Sequence, residues 1–292
     1  MIKTFKSAFD LVRNNIVVVQ PLVFYLLIFG VVSNPISLDG TFSYASILAI
    51  ITLLLTTSAF FAGWFYIVKA AISMKDKEYE TPEEKSLAQF DLLKQFFTGV
   101  GEYFIPILLS FVIYLSALLL ISFLSYKLGL HYLGKVILTP ELIKASKTGE
   151  YKDFLAVWSS VESIKAMKLL SYWGVYLSSL SILFSLVTMY YGATILYDTK
   201  NPIVALINNF KFLFKNFFGS LFIMLFLTFL NFILVFLNLM FAQSFILSLI
   251  VVVLLLFYYS YQVMLIFLYY EQKAKSNSDS GAECIGQIES GD

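Results

Sequence analysis

From Asn216 to Tyr270 the chain contains no Lys, Arg, Asp or Glu, and this run constrains the fold more than any other feature. As one helix, at 1.5 Å per residue, it would be about 80 Å long, whereas the hydrocarbon core of a bilayer is about 30 Å thick. The run must fold back on itself. The place for the turn is Ala242-Gln243-Ser244, where polar residues interrupt a Phe/Leu-rich stretch. Four more charge-free runs, Ile16–Leu38, Gly40–Val68, Tyr103–Tyr126 and Leu169–Tyr197, are each long enough to cross once. The expectation is an all-α polytopic transmembrane helix bundle with spans near 17–35, 43–68, 103–126, 169–197, 218–241 and 245–270.

Composition agrees with lipid as the solvent. Hydrophobic residues make up 59% of the chain and charged residues 13%, against roughly a half and a quarter in soluble domains. So little charge could not clothe a soluble protein, but in lipid apolar side chains can face outward. Long unbroken runs, rather than short alternating segments divided by turns, favour helices over a barrel. The net charge of +1 gives no field to attract nucleic acid, and no nucleic-acid partner is expected. Cys284 and His131 are the single cysteine and histidine, which excludes a disulfide framework and leaves a metal site without its usual ligands. No cofactor is expected, since there is neither a GxGxxG nor a GxxxxGK[ST] loop.

The first run follows Lys3, Lys6 and Arg13 and so imitates a signal peptide. It is too long for one, contains Gln20-Pro21 and lacks a small-x-small cleavage pattern, so it reads as a retained first span. Pro21 should kink that span and free a carbonyl for a neighbouring helix or for Gln20. Basic residues then set the orientation. Lys3, Lys6 and Arg13, the segment Lys69–Glu102, the group Lys200, Lys211 and Lys215, and Lys273 with Lys275 all belong on one side. That side is the cytoplasm, with both chain ends there. The segment Lys127–Lys168 disagrees: lysine outnumbers acid in it, yet six spans place it outside. Either the charge rule fails for this longer connection, or a dip near Leu128–Leu138 returns the chain to the cytoplasm. The tail 276–292 is rich in Ser, Gly and acid and is expected to be disordered.

Amphipathic stretches precede the hairpins. Phe5, Phe9, Val12 and Ile16 form a stripe beside Lys6, Asp10 and Arg13; Leu87, Phe90, Leu93 and Phe97 form one beside Asp91, Lys94 and Gln95. Ile203, Leu206, Ile207, Phe210, Leu213, Phe214 and Phe217 form a third, with Asn208, Asn209, Lys211, Lys215 and Asn216 on the other face. A fourth, Phe154 to Ile164, leads into the fourth span. Such helices lie in the headgroup layer, apolar face down and lysines toward anionic lipid. The first two share Phe-Asp-Leu, at residues 9–11 and 90–92, and the order of surface helix then two spans reads as a pseudo-repeat.

The stretch Tyr197-Asp198-Thr199-Lys200-Asn201-Pro202-Ile203-Val204-Ala205-Leu206, followed by Phe210 and Phe214-Lys215-Asn216-Phe217, carries a resemblance. So do Gln89–Pro106, with Phe90, Phe97, Gly99 and Pro106, and Pro140-Glu141-Leu142 with Gly149 and Phe154. Over most of residues 1–275 the chain resembles prokaryotic polytopic membrane proteins related to the membrane domain attached to some glycerophosphodiester phosphodiesterases. The resemblance implies a six-span fold in the inner membrane and no established activity. The phosphodiesterase domain, with its metal-binding carboxylates and histidines, has no counterpart here.

The spans contain no charge, which counts against ion-coupled transport. Glu102 and Asp198 border spans and read as interfacial, and Lys69 can snorkel to the surface. Uncharged polar residues remain: Ser178, Ser181, Ser185 and Thr188 share a face of span four, Asn231 and Asn238 a face of span five, and Gln262 lies in span six. They mark either a polar cavity for a solute or headgroup, or interhelical hydrogen bonding. His131 has no partner at catalytic spacing. Three functions follow in order: non-enzymatic organisation of lipid or partner membrane proteins, passage of a neutral or lipidic solute, and, last, an enzyme of lipid metabolism. Membrane lipid is the partner that all three share.

Overall fold

The structure, a computed structural model, describes residues 1–33, 44–75, 77, 79–135, 139–140, 143–144, 157, 160–241 and 243–288, with side chains as far as Lys275. Its helices are α1 (Ile2–Asn14), α2 (Gln20–Ser33), α3 (Tyr44–Ser73), α4 (Pro82–Tyr132), α5 (Val161–Thr188), α6 (Tyr191–Tyr197), α7 (Pro202–Lys215), α8 (Phe217–Phe241) and α9 (Phe245–Ile288). No strand occurs among the described residues, and the fold is an all-α bundle. Six helical stretches among them are long and apolar enough to cross a membrane: Ile16–Ser33, Tyr44–Ser73, Pro82–Tyr132, Val161–Tyr197, Phe217–Phe241 and Phe245–Lys275. The charge-free run turns where its polar residues are, α8 ending at Phe241 and α9 starting at Phe245. The side chains of the tail expected to be disordered, 276–292, lie outside the described residues.

Two compact units divide the chain, Met1–Val112 with Val187–Asp292, and Ile113–Leu186. In the second, the end of α4 and the start of α5 run antiparallel. Tyr114 meets Phe184 with ring centroids 5.0 Å apart, and Tyr176 Oη donates to the Ser125 carbonyl at 3.2 Å. Trp173 packs on Gly129 and donates to the Gly134 carbonyl at 3.2 Å. Leu128–Tyr132, where a dip was one expectation for the long connection, simply continue α4. Most of the remainder of that connection, including 136–138 and most of the fourth amphipathic stretch, lies outside the described residues.

In the first unit the span before Pro21 breaks as expected. A short 3-10 turn, Ile16–Val18, precedes α2, and Leu22 N–H reaches back only to the Val19 carbonyl. The Val18 carbonyl is thereby freed, and buried Trp64 on α3 donates to it from Nε1 at 2.9 Å. A neighbouring helix thus satisfies the backbone group, as lipid requires.

Helix α4 differs from expectation. At 1.5 Å per residue its 51 residues span about 77 Å, so its polar beginning extends well outside any bilayer. The amphipathic stretch Leu87–Phe97 is not a separate surface helix but the same helix as span three. Thr81 Oγ1 accepts from Glu84 N–H and Glu84 Oε2 from Glu80 N–H, a cap that starts the helix at Pro82. No proline intervenes between Pro82 and Pro106.

Helices α3 and α4 cross at glycines. A Cβ on Gly99 would sit 2.4 Å from Tyr66 Cβ and 2.9 Å from the Ala62 carbonyl oxygen, and one on Gly63 would meet the Phe96 ring at 2.7 Å. Small residues that let backbones approach are how helices associate without a hydrophobic driving force between them. Nothing lies within 4 Å of a Cβ on Gly101, one half-turn on. Gly99→Ala should therefore destabilise by about 1–3 kcal/mol through overpacking, while Gly101→Ala should stabilise by up to about 1 kcal/mol through helix propensity. Thermal unfolding of the two purified variants should move in opposite directions; equal shifts would refute the crossing.

Candidate functional site

One end of the first unit gathers its charged and aromatic side chains. Lys69, near the end of α3, donates to the carbonyl of Leu196 at 2.5 Å and lies 5.0 Å from the Tyr197 ring centroid. A cation over the last carbonyls of α6 is favoured there. Lys200, just past α6, pairs with Glu102 of α4 at 2.7 Å and sits 5.0 Å from the Tyr103 ring. Asp198 Oδ2 accepts from Tyr270 Oη of α9 at 2.7 Å and from Asn208 Nδ2 of α7 at 3.3 Å. Glu271 pairs with Lys275 through Oε1, while its Oε2 and Tyr197 Oη are buried without a hydrogen-bond partner. The carboxylates of Glu102 and Asp198 are both taken up by donors from other segments. The cluster acts as a clamp on α3, α4, α6, α7 and α9.

Beneath it lies a buried polar junction. The helical run of span four breaks at Met189-Tyr190, between α5 and α6. Fully buried Asn209 of α7 closes the break from both sides: its Oδ1 accepts from Tyr190 N–H at 3.1 Å, and its Nδ2 donates to the Val187 carbonyl at 2.6 Å. Tyr190 Oη donates to Ser220 Oγ at 2.9 Å, and Ser220 Oγ in turn donates to the Asn216 carbonyl. The chain then turns into α7 through Asn201, whose Oδ1 accepts from the N–H groups of Ile203 and Val204, with Pro202 following as the first helical residue.

Glu102, Asp198 and Lys69, read from sequence as interfacial, thus come to one place. The polar residues inside the spans do not. Ser178, Ser181 and Ser185 belong to the second unit and are exposed. In the first unit Asn238 is exposed, and Asn231 and Gln262 are half-buried. None of the six lines the cavities described below. His131 is exposed at the end of α4, its ring against Tyr132. Among the described residues no three His, Cys, Asp or Glu gather as a metal site.

The sequence reading placed Asn209 on the polar face of a surface helix with Asn208; the structure corrects this. Asn208 is half-buried, whereas Asn209 faces the interior with Ala205, Phe212 and Leu213. Tyr190 and Ser220 had no sequence signal beyond being polar or aromatic residues beside a span. The aromatic end of span six is partly core: Tyr258, Tyr269 and Tyr270 are all buried.

Cavities open on this unit among the described residues. One of about 410 Å³ lies between α2, α3 and α4, lined by Tyr25, Phe60, Phe96 and other apolar side chains. One of about 560 Å³ lies between α1, α8 and α9, lined by Phe226, Leu230, Leu254 and Phe257, with Arg13 on its α1 side. A third, about 630 Å³, is polar and lies where α1, the α7–α8 turn and α9 meet.

No family model matches the chain, and no curated protein or solved structure matches it.

Replacing Asn209 by Leu strands a buried N–H and a buried carbonyl, each costing about 1–3 kcal/mol. The variant should unfold at clearly lower temperature. By contrast, Lys200 and Glu102 are 53% and 39% exposed, so a double-mutant cycle with Lys200→Met and Glu102→Gln should give a coupling below about 1 kcal/mol. A larger coupling than that from Asn209→Leu would reverse the ranking of clamp and junction.

Proposed function

We propose that the protein is a non-catalytic, multi-pass protein of a prokaryotic inner membrane that organises lipid around its spans, with both termini in the cytoplasm. The observation that carries this reading is the groove between α1, α8 and α9. Its walls are span side chains such as Phe226, Leu230 and Leu254, and Arg13 stands at its surface-helix side. An apolar slot beside a guanidinium matches a phospholipid, with acyl chains beside the span and phosphate at the interface. Helix α1 is held in place to form it. Thr4 Oγ1 donates to Gln272 Oε1 at 3.0 Å, and Phe5 packs edge-on against Phe226 at 4.7 Å.

The orientation is supported by where the cations lie. Lys3, Lys6, Arg13, Lys75, Lys211, Lys215 and Lys273 all flank the same ends of the spans in the first unit, the asymmetry typical of a cytoplasmic face. The motif resemblance around Tyr197–Leu206 supports a prokaryotic membrane. Passage of a lipidic solute is the second reading, favoured by the same laterally open groove.

In a Cys284→Ser background, a cysteine at exposed Ser73 should react with an impermeant thiol reagent only after the membrane is opened, and one at exposed Tyr132 should react in intact cells. The reverse pattern would invert the protein. In reconstituted vesicles the protein should retain co-purified phospholipid while leaving the exchange of labelled lipid between leaflets at the protein-free rate. Fast exchange would replace lipid organisation with the transport reading.

A further inference from the structure

We propose that the polar cavity where α1, the α7–α8 turn and α9 meet binds the phosphate of an anionic phospholipid headgroup. The proposal rests on the lipid-organising reading and assigns it a site. The cavity, of about 630 Å³, is within the range that small ligands occupy. Its lining includes Lys215 and Lys273 and no acidic residue. Neither lysine forms an ion pair among the described residues. Glu271, the carboxylate next along α9, does not line the cavity, and its Oε1 pairs with Lys275.

A donor on a largely buried side chain points to the same ligand. Tyr269 is only 4% exposed, lines this cavity, and its hydroxyl makes no hydrogen bond. The hydroxyl lies over Gly219, where a Cβ would come 2.1 Å from the oxygen. Glycine makes the room, at the first turn of α8. There the N–H groups of Phe217, Phe218 and Gly219 have no acceptor within their own helix. An N-terminus of this kind favours an anion. Thr4 occupies the Gln272 carbonyl oxygen, leaving the Gln272 amide nitrogen as a further donor. Two ammonium groups, a phenol and backbone N–H groups make a donor set without a competing acceptor charge, which suits a phosphate.

Lipid, rather than a soluble phosphate, follows from the rim. Phe214 and Phe218, which line the cavity, are 74% and 84% exposed, and Ile2 beside Met1 is 86% exposed. Helix α8 then continues directly as a span. A headgroup in the cavity would leave its acyl chains along this apolar surface, the arrangement of basic sites between spans.

The test uses the full-length protein and native mass spectrometry, titrating phosphatidylglycerol against a phosphatidylcholine background. Removing both charges with Lys215→Gln and Lys273→Gln should weaken phosphatidylglycerol binding on the order of thirtyfold. Tyr269→Phe, which keeps the ring, should weaken it on the order of tenfold. Lys211→Gln, an exposed lysine of α7 outside the cavity, should leave binding within about twofold. Equal binding by the wild type and the double variant would overturn the site, as would an equal loss with Lys211→Gln, which would mean diffuse attraction. Displacement of phosphatidylglycerol by inorganic phosphate at matched concentration would overturn the lipid assignment in favour of a soluble anion. Phospholipid retained equally by all variants sinks only this site, whereas no retention by any form together with fast leaflet exchange sinks the lipid-organising reading itself.

Discussion

A broken helix inside a membrane must find partners for the backbone groups it frees, and in this protein one side chain supplies them. Asn209 donates to Val187 and accepts from Tyr190, so the break between α5 and α6 leaves neither group stranded. Much else depends on that closure. It lets the short helix α6 sit in the core of its unit, where Ala193, Thr194, Ile195 and Leu196 are all buried. It brings the α6 carbonyl end within reach of Lys69, and it presents Asp198 and Lys200 to Tyr270 and Glu102. It also fixes α7 against the spans, and the α7–α8 turn forms one wall of the polar cavity. Without a bonded Asn209 the low dielectric would charge the full desolvation penalty to two backbone groups at once.

The amphipathic helices are oriented by a different rule from that of soluble proteins. Their apolar stripes were legible from spacing, yet those stripes are largely not what the fold buries. In α1 the inward residues include Thr4, Ala8 and Leu11, while Phe9, and Ile16 in the turn that follows, are exposed. In α4 Leu92 is buried, while Leu87, Phe90 and Phe97 are exposed. In α7 Ala205 and Asn209 turn inward, while Ile203, Ile207 and Phe214 are exposed. Small or polar residues share the protein contact with a few apolar ones, and most of the large apolar residues of each stripe are left outward, as expected where the outward environment is the acyl boundary. The shared Phe-Asp-Leu repeats this at the level of single residues. In both copies Phe is exposed, Leu is buried, and Asp pairs with the cation three residues on, Asp10 with Arg13 and Asp91 with Lys94.

Span existence was therefore readable because it depends on one quantity, the length of chain without charge, and the turn at 242–244 was readable because polar residues mark it. The kink before Pro21 was readable because proline removes a donor; that Trp64 would answer it was not, since the two are far apart in sequence. The continuity of α4 through the interface was hidden because an amphipathic stretch with Asp91 and Lys94 meets a charge-free one beyond Glu102. Between them Gly99 serves the crossing with α3. The candidate site was only half legible. Charges at span ends could be placed at an interface, but their convergence depends on the α5–α6 break, and nothing local at Met189-Tyr190 announces it.

The distribution of burial then separates two jobs within the first unit. Between helices in lipid there is no hydrophobic driving force, so cohesion must come from close packing, hydrogen bonds and ion pairs. Those devices are concentrated toward the charged end: the Gly63 and Gly99 crossing, the Lys69, Asp198 and Lys200 contacts, and the Tyr190–Ser220 bond. The most deeply buried stretches, Ile67–Ile72 of α3 and Met264–Tyr270 of α9, lie there too. Further along the spans, Leu48 of α3, Phe232 and Leu239 of α8, and Ile246 and Leu249 of α9 are exposed. A helix set fastened at one end and apolar along the rest can accommodate lipid between its members without breaking any of the contacts that hold it together. That division explains why the apolar grooves lie between spans while the only cavity rich in donors, among those described, lies at the fastened end.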